Sequence, residues 1–152
     1  MIPREPIDLD INLLLSQKVN LSAVERRCES LVKRRSVKKR YQAEWLLQAI
    51  GFMDLTTLSG DDTPGRVDRL CHKGKNPVRK DILDALGIQK PLSVAAVCVY
   101  PELVRTASLS LDKSGIELAS VATGFPAGLI PERIKISEIN AATKNGASEI
   151  DV

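Results

Sequence analysis

An α/β fold of repeated strand–helix units on a parallel sheet is what this sequence predicts. Three observations carry the prediction. From Phe52 onward, short apolar runs alternate with amphipathic stretches across short polar joints, which is the pattern of βα crossover units. The run "SVAAVCVYP" (93–101) is apolar throughout and rich in β-branched residues, as a strand covered on both faces must be. The turn after the first strand, "DLTTLSGDDT" (54–63), contains neither GxGxxG nor GxxxxGK[ST]. The phosphate cradle of a doubly wound nucleotide binder is therefore missing, and the sheet leans towards a (β/α)8 barrel.

The elements follow in order. Residues 1–50 read as an N-terminal helical extension and 51–152 as the sheet-bearing domain. Within the extension, Ser22 and Glu25 have capping-box spacing, with Val24, Cys28, Leu31 and Val32 on one face behind them. A second helix carries Val37, Tyr41, Trp45 and Ala49 at i, i+4 spacing and ends at Gly51. "FMDLTT" (52–57) is a short strand. Thr63-Pro64 caps and opens a helix that closes at Gly74. Asn76-Pro77 opens another, with Val78, Ile82, Leu83 and Leu86 on one face, closing at Gly87. After the 93–101 strand, a helix runs from Pro101 to near Gly115 and leads to the strand "LASVATGFP" (118–126). A last helix runs from Pro131 to Gly146, and "SEIDV" (148–152) opens a fourth strand.

Composition narrows the classes. With 152 residues, 43% hydrophobic and 27% charged, the chain has the make-up of an ordinary soluble globular protein. No stretch approaches the ~18 consecutive apolar residues of a membrane helix. The opening "MIPREPIDLDINLLL" is acidic and proline-broken, unlike a secretory signal. Three scattered cysteines, Cys28, Cys71 and Cys98, favour reduced thiols and a cytoplasmic setting. The only histidine, His72, adjoins Cys71 without any ligand spacing, so no metal is expected. The basic run "VKRRSVKKR" (32–40) carries most of the net charge of +3. It reads as the solvated face of a helix rather than a nucleic-acid patch, since 3% aromatics leave little surface for base stacking.

Barrel enzymes hold their chemistry where the strands end. The polar groups there are Asp54, Thr56 and Thr57, then Cys98 and Tyr100, then Thr123, then Asp151. Asp54 and Asp151 interrupt apolar runs, and a carboxylate in such a place needs either a partner or a function.

Four of these segments together are recognisable. "FMDLTTLSGDDT" (52–63), "AAVCVYP" (95–101), "ASVATGFPAG" (119–128) and "GASEIDV" (146–152) resemble deoxyribose-phosphate aldolase, in order and at barrel spacing. "RRSVKKRYQAEWLLQAI" (34–50) resembles the helical extension of the animal-type form. The resemblance implies a (β/α)8 barrel and a class I aldolase that cleaves 2-deoxy-D-ribose 5-phosphate reversibly to acetaldehyde and D-glyceraldehyde 3-phosphate. A lysine Schiff base serves as the electron sink there, with no metal and no cofactor. It implies a proton-relay role for Asp151 and substrate-pocket positions for Asp54, Thr56 and Cys98. A phosphosugar is the implied partner, with neither nucleic acid nor membrane, and the complete enzyme has room to form a homo-oligomer.

The family's K-T-S-T-G motif, with its Schiff-base lysine, has no counterpart in the sequence. Lys73, Lys75, Lys90, Lys113, Lys135 and Lys144 are all expected on helices or strand-preceding loops, at the end opposite the chemistry. The sequence is thus expected to hold the extension, three βα units and the start of the fourth strand, inactive alone. The competing reading is a non-catalytic product that acts as an interaction module. Its support is the basic run with Tyr41 and Trp45.

Overall fold

In a computed structural model of the chain, residues 8–34 and 37–152 are described. Arg35 and Ser36 of the basic run, and the first seven residues of the N-terminal stretch, lie outside the described residues. The chain divides into two compact units at Lys38/Lys39.

The first unit holds α1 (Ile11–Ser16) and α2 (Leu21–Val32), neither with a buried residue. Asp10 caps α1 by accepting from the Leu13 N–H at 3.0 Å. The cap of α2 corrects the expected capping box. Asn20 accepts from the Ala23 N–H at 3.1 Å, while Ser22 lies inside the first turn and donates its hydroxyl to Asn20 Oδ1 at 3.0 Å. Asparagine caps as well as serine does, and standing one residue ahead of the apolar run it takes the position first.

The second unit begins with α3 (Arg40–Ile50), followed by Gly51 as its C-cap. Val37 falls outside the helix, so the i, i+4 stripe starts at Tyr41. Four strands follow: β1 (Asp54–Thr56), β2 (Ala96–Val99), β3 (Glu117–Val121) and β4 (Glu149–Asp151). They form one parallel sheet in chain order. Consecutive parallel neighbours that always step the same way are the winding of a barrel; a doubly wound sheet reverses its strand order at a switch point. The crossovers are α4 (Pro64–Lys75) with α5 (Lys80–Ala85), then a 3-10 turn (Pro101–Leu103) leading into α6 (Val104–Ser110), then α7 (Glu132–Asn145).

Helix α4 opens as its sequence predicts, with Thr63 accepting from the Arg66 N–H at 3.3 Å and proline in the first turn. Its end differs: Gly74 lies buried inside the helix, which runs on to Lys75. The glycine serves a close approach instead of a stop. A Cβ there would lie 3.1 Å from Val94 Cγ2 and 3.3 Å from Val97 Cγ2, and the Val94 N–H donates to the Gly74 carbonyl at 3.0 Å. Helix α5 starts at Lys80 rather than at Asn76-Pro77: Asn76 is taken up as the C-cap of α4, its side-chain amide donating to the His72 carbonyl at 3.2 Å, and Arg79 in extended conformation is the N-cap of α5. It ends where expected: Gly87 at φ +71 lets the Ile88 N–H fold back on the Leu83 carbonyl at 2.9 Å.

One face of the sheet is covered by helices, and the other is buried only over the central strands β2 and β3. Val97 and Val99 of β2 and Leu118 of β3 pack against Val67 and Cys71 of α4, Val104 and Ala107 of α6, and Ala142 of α7. Burial of each such valine is worth about 1.5–3 kcal/mol, so this helix-facing layer anchors the unit. On the opposite face Cys98, Ala119 and Val121 form a smaller cluster with Leu58, Tyr100 and Phe125. All four residues of β2 are buried, in keeping with a strand that reads apolar on both faces.

Candidate active site at the C-terminal ends of the strands

The two-residue period of a strand places Cys98, Ala119 and Val121 on the face away from the helices, and with them Asp54, Thr56 and Asp151. The register pairs Thr56 with Cys98, Cys98 with Ala119, and Val121 with Asp151. The four residues singled out from sequence therefore share one face of one sheet; Thr56, Cys98 and Asp151 lie towards the C-terminal ends of three strands, but Asp54, expected there too, opens β1 because the strand starts at the acid.

The central contact is between Cys98 and Asp151. The thiol donates to Asp151 Oδ2 at 3.6 Å, reaching from β2 to β4 past Ala119 on the strand between. In the register Ala119 is the neighbour of Cys98 and Val121 that of Asp151, so the contact runs diagonally across β3. Cys98 is 2% exposed, and burial pushes its thiol up to about 11, helped by the negative charge and the hydrogen bond of Asp151 and then by the charge of Asp54. At neutral pH the sulfur is thus a proton donor to the carboxylate and a poor nucleophile. Asp151 and Asp54 are both exposed, so each carboxylate offers acceptor capacity to an incoming group. Thr56 donates its hydroxyl to the Asp54 carbonyl at 3.3 Å.

Sequence reasoning missed Asp62, which fixes the loop above β1. Its side chain is 1% exposed and receives the Thr57 hydroxyl at 2.9 Å and the Ser59 N–H at 2.9 Å. Arg66, in the first turn of α4, reaches Asp62 at 3.3 Å and Asp61 at 3.0 Å. Burial works to raise the Asp62 pKa, but the Ser59 N–H, the Thr57 hydroxyl and the Arg66 guanidinium outweigh it and hold it below the usual aspartate value. The available signal was an acid four residues ahead of an arginine at a helix start.

The β3–α7 loop is the second wall. Thr123 and Gly124 both have positive φ, +67 and +72, and the Gly124 N–H donates to Glu138 Oε2 at 2.7 Å. Here the expected placing of the lysines needs one correction. Lys135 lies in the first turn of α7, with its Nζ 3.8 Å from where a Cβ on Gly128 would stand. It is therefore at the end where β3 finishes, the end that carries Cys98 and Asp151. A crossover helix runs antiparallel to its strands, so its first turn shares that end. Lys75 lies at the far end of α4 and donates to the Ser110 carbonyl at 2.8 Å. None of the four strands contains a lysine.

No family model matches the chain. It is 51% identical over 148 residues to the deoxyribose-phosphate aldolase of Mus musculus, covering 95% of this chain and 46% of that protein. It is 49% identical over 148 residues to the deoxyribose-phosphate aldolase of Homo sapiens, with the same coverage of 95% and 46%. The chain thus spans about half the length of the curated relatives it matches. The solved structure of the tetrameric deoxyribose phosphate aldolase from Aeropyrum pernix shares the fold, with a TM-score of 0.53 at 24% identity over 70% of this chain and 38% of that one. Deoxyribose-phosphate aldolases are homologues of nearly the whole chain, and its four-stranded parallel sheet with helices is an incomplete α/β barrel.

Proposed function

We propose, from that homology to a part of deoxyribose-phosphate aldolases, that the chain supplies the first strands of a class I aldolase barrel and its proton-relay carboxylate, Asp151. The reaction is the reversible cleavage of 2-deoxy-D-ribose 5-phosphate to acetaldehyde and D-glyceraldehyde 3-phosphate, in cytoplasmic deoxyribose-phosphate catabolism. The partner is a small phosphosugar, with no role for nucleic acid or membrane, and the complete enzyme assembles as a homo-oligomer.

The observation that carries this reading is the Cys98–Asp151 contact at 3.6 Å on the face away from the helices. A relay carboxylate must accept a proton at one step and return it at another. Asp151 is exposed on one side and held on the other by a thiol that stays protonated, so it keeps its orientation without being neutralised by a fixed cation. Asp54 and Thr56, across the same face on β1, position the substrate by hydrogen bonding. The electron sink is a lysine supplied from outside these four strands, since none of them carries one. On this reading the 152-residue chain alone does not turn over substrate.

A chimera tests the proposal. Residues 1–152 joined to the part of the Mus musculus enzyme beyond the matched region should cleave 2-deoxy-D-ribose 5-phosphate, read by reduction of the released aldehydes with coupled NADH oxidation. Asp151→Asn in the chimera should lower kcat by about 10²–10⁴-fold, the usual worth of a positioned acid–base group. An inactive but folded chimera, or one indifferent to Asp151→Asn, would overturn it. The 152-residue chain treated with acetaldehyde and borohydride should yield no single-lysine adduct.

A further inference from the structure

We infer that the cleft between the end of α4 and α5 binds a small phosphomonoester with an apolar body, of the nucleoside-monophosphate class. This inference does not rest on the aldolase reading.

The cleft has a volume of about 490 Å³, within the roughly 300–1,000 Å³ range of small-molecule sites. Four lysine or arginine side chains line it, Lys75, Arg79, Lys80 and Lys90, against the single acid Asp84, with His72 at the rim. Two of the four cations are already engaged. Arg79 pairs with Asp81 at 2.5 Å, and Lys75 donates to the Ser110 carbonyl at 2.8 Å. Lys80 and Lys90 form no salt bridge among the described residues. Two uncommitted ammonium groups across one cleft match the charge of a phosphate dianion better than that of a single carboxylate.

The rest of the wall is mainly apolar, Val78, Leu83, Ile88, Pro91 and Leu92, with the amides of Asn76 and Gln89 among them. A polyhydroxylated sugar phosphate would leave that apolar surface unused, whereas a nucleoside base would cover it and present its polar edge to the amides of Asn76 and Gln89. The position also separates this cleft from the relay face. Lys90 and Leu92 precede β2, and Asn76 and Arg79 follow α4, so the cleft opens at the end where strands begin, opposite Cys98 and Asp151.

Isothermal titration of the whole chain with AMP, inorganic phosphate and adenosine separates the contributions. AMP should bind saturably at one site and more tightly than either phosphate or adenosine alone. The double variant Lys80→Ala/Lys90→Ala should weaken AMP binding by about tenfold or more, with an unchanged far-UV spectrum, because both lysines are exposed. Lys144→Ala, an exposed cation on α7 outside the cleft, should leave it unchanged. AMP binding no tighter than inorganic phosphate, insensitive to the double variant, or absent at millimolar concentration would overturn the inference.

Discussion

Cys98 and Asp151, 53 residues apart in the chain, meet at 3.6 Å across the width of β3, where Ala119 stands beside the cysteine and Val121 beside the aspartate. The geometry makes the cysteine a donor and the carboxylate its acceptor. Two consequences can be measured on the chain itself.

The first is selective inertness. With its thiol held at about 11 against the ordinary 9.0, Cys98 should carry about a hundredfold less thiolate at pH 8 than an unperturbed cysteine. Mass-spectrometric mapping of iodoacetamide labelling should find Cys28, which is exposed, modified first. Asp151→Asn removes the charge and leaves only a neutral amide acceptor, so Cys98 labelling in that variant should speed up at fixed pH. The raised folded-state value also fixes a sign for stability. Its contribution is fully present below the unfolded value near 9 and is lost as pH rises towards 11, by about 2 kcal/mol. Equal labelling rates for Cys28 and Cys98 at pH 8 would contradict this geometry.

The second consequence concerns Ala119, the neighbour of Cys98 on β3. Ala119→Leu would push three more carbons into the path from Cys98 to Asp151, in a cluster already 1–2% exposed. Overpacking of this kind costs about 1–3 kcal/mol, and the separation should free the thiol from the carboxylate's field. Urea melts should show the lost stability, and iodoacetamide should label Cys98 faster than in the parent. Slower labelling at unchanged stability would place the Ala119 methyl elsewhere.

How far these features are legible in sequence depends on the length scale of the signal. Asp54 and Asp151 stand out because an acid breaks an apolar strand pattern, but only the register of the sheet puts them with Thr56 and Cys98 on one face. Thr63-Pro64 and Gly87 mark helix ends because cap chemistry is local. For Asp62 the spacing to Arg66 is the only signal, and it says nothing of burial: the side chain becomes buried when the loop folds it under Thr57. For Lys135 membership of a helix does not fix one end of the sheet, because the first turn and the last turn of a crossover helix lie at opposite ends. Gly74 looked like a stop because glycine usually stops helices, and only the approach of Val94 and Val97 gives it another purpose.

The Asp62 network should show itself in acid. Its carboxyl lies below the ordinary aspartate value in the folded chain, so its contribution is present above the unfolded value of 3.8 and is lost as pH falls through the folded one. Asp62→Asn keeps the volume but gives up the charge that Arg66 and the Thr57 hydroxyl address. The variant should be less stable at pH 7, and the gap to the parent should close as the pH drops below about 4. Thermal melts across that range would measure it; a gap that widens in acid would assign the wrong sign to the network.

Gly74 and Gly146 set two opposing effects of an added methyl against each other. At Gly146 the backbone has φ +114 and a Cβ would stand 2.6 Å from Ser108 Oγ, so Gly146→Ala meets both strain and collision. A loss of about 2–3 kcal/mol is expected. At Gly74 the conformation is helical, and alanine would gain about 1 kcal/mol of helix propensity. Against that, the methyl would lie 3.1 Å from Val94 Cγ2 and 3.3 Å from Val97 Cγ2. Both valines are buried at 4% and 0% exposure, and β-branched side chains there have little rotamer freedom to yield. Overpacking at about 1–3 kcal/mol should win by a small margin, giving a net loss near 1 kcal/mol. Val94→Ala makes room on one side, so the double variant Gly74→Ala/Val94→Ala should be more stable than the sum of the two single changes implies, by about 0.5–1 kcal/mol of coupling. Strict additivity in urea melts would mean that α4 moves off the sheet to admit the methyl.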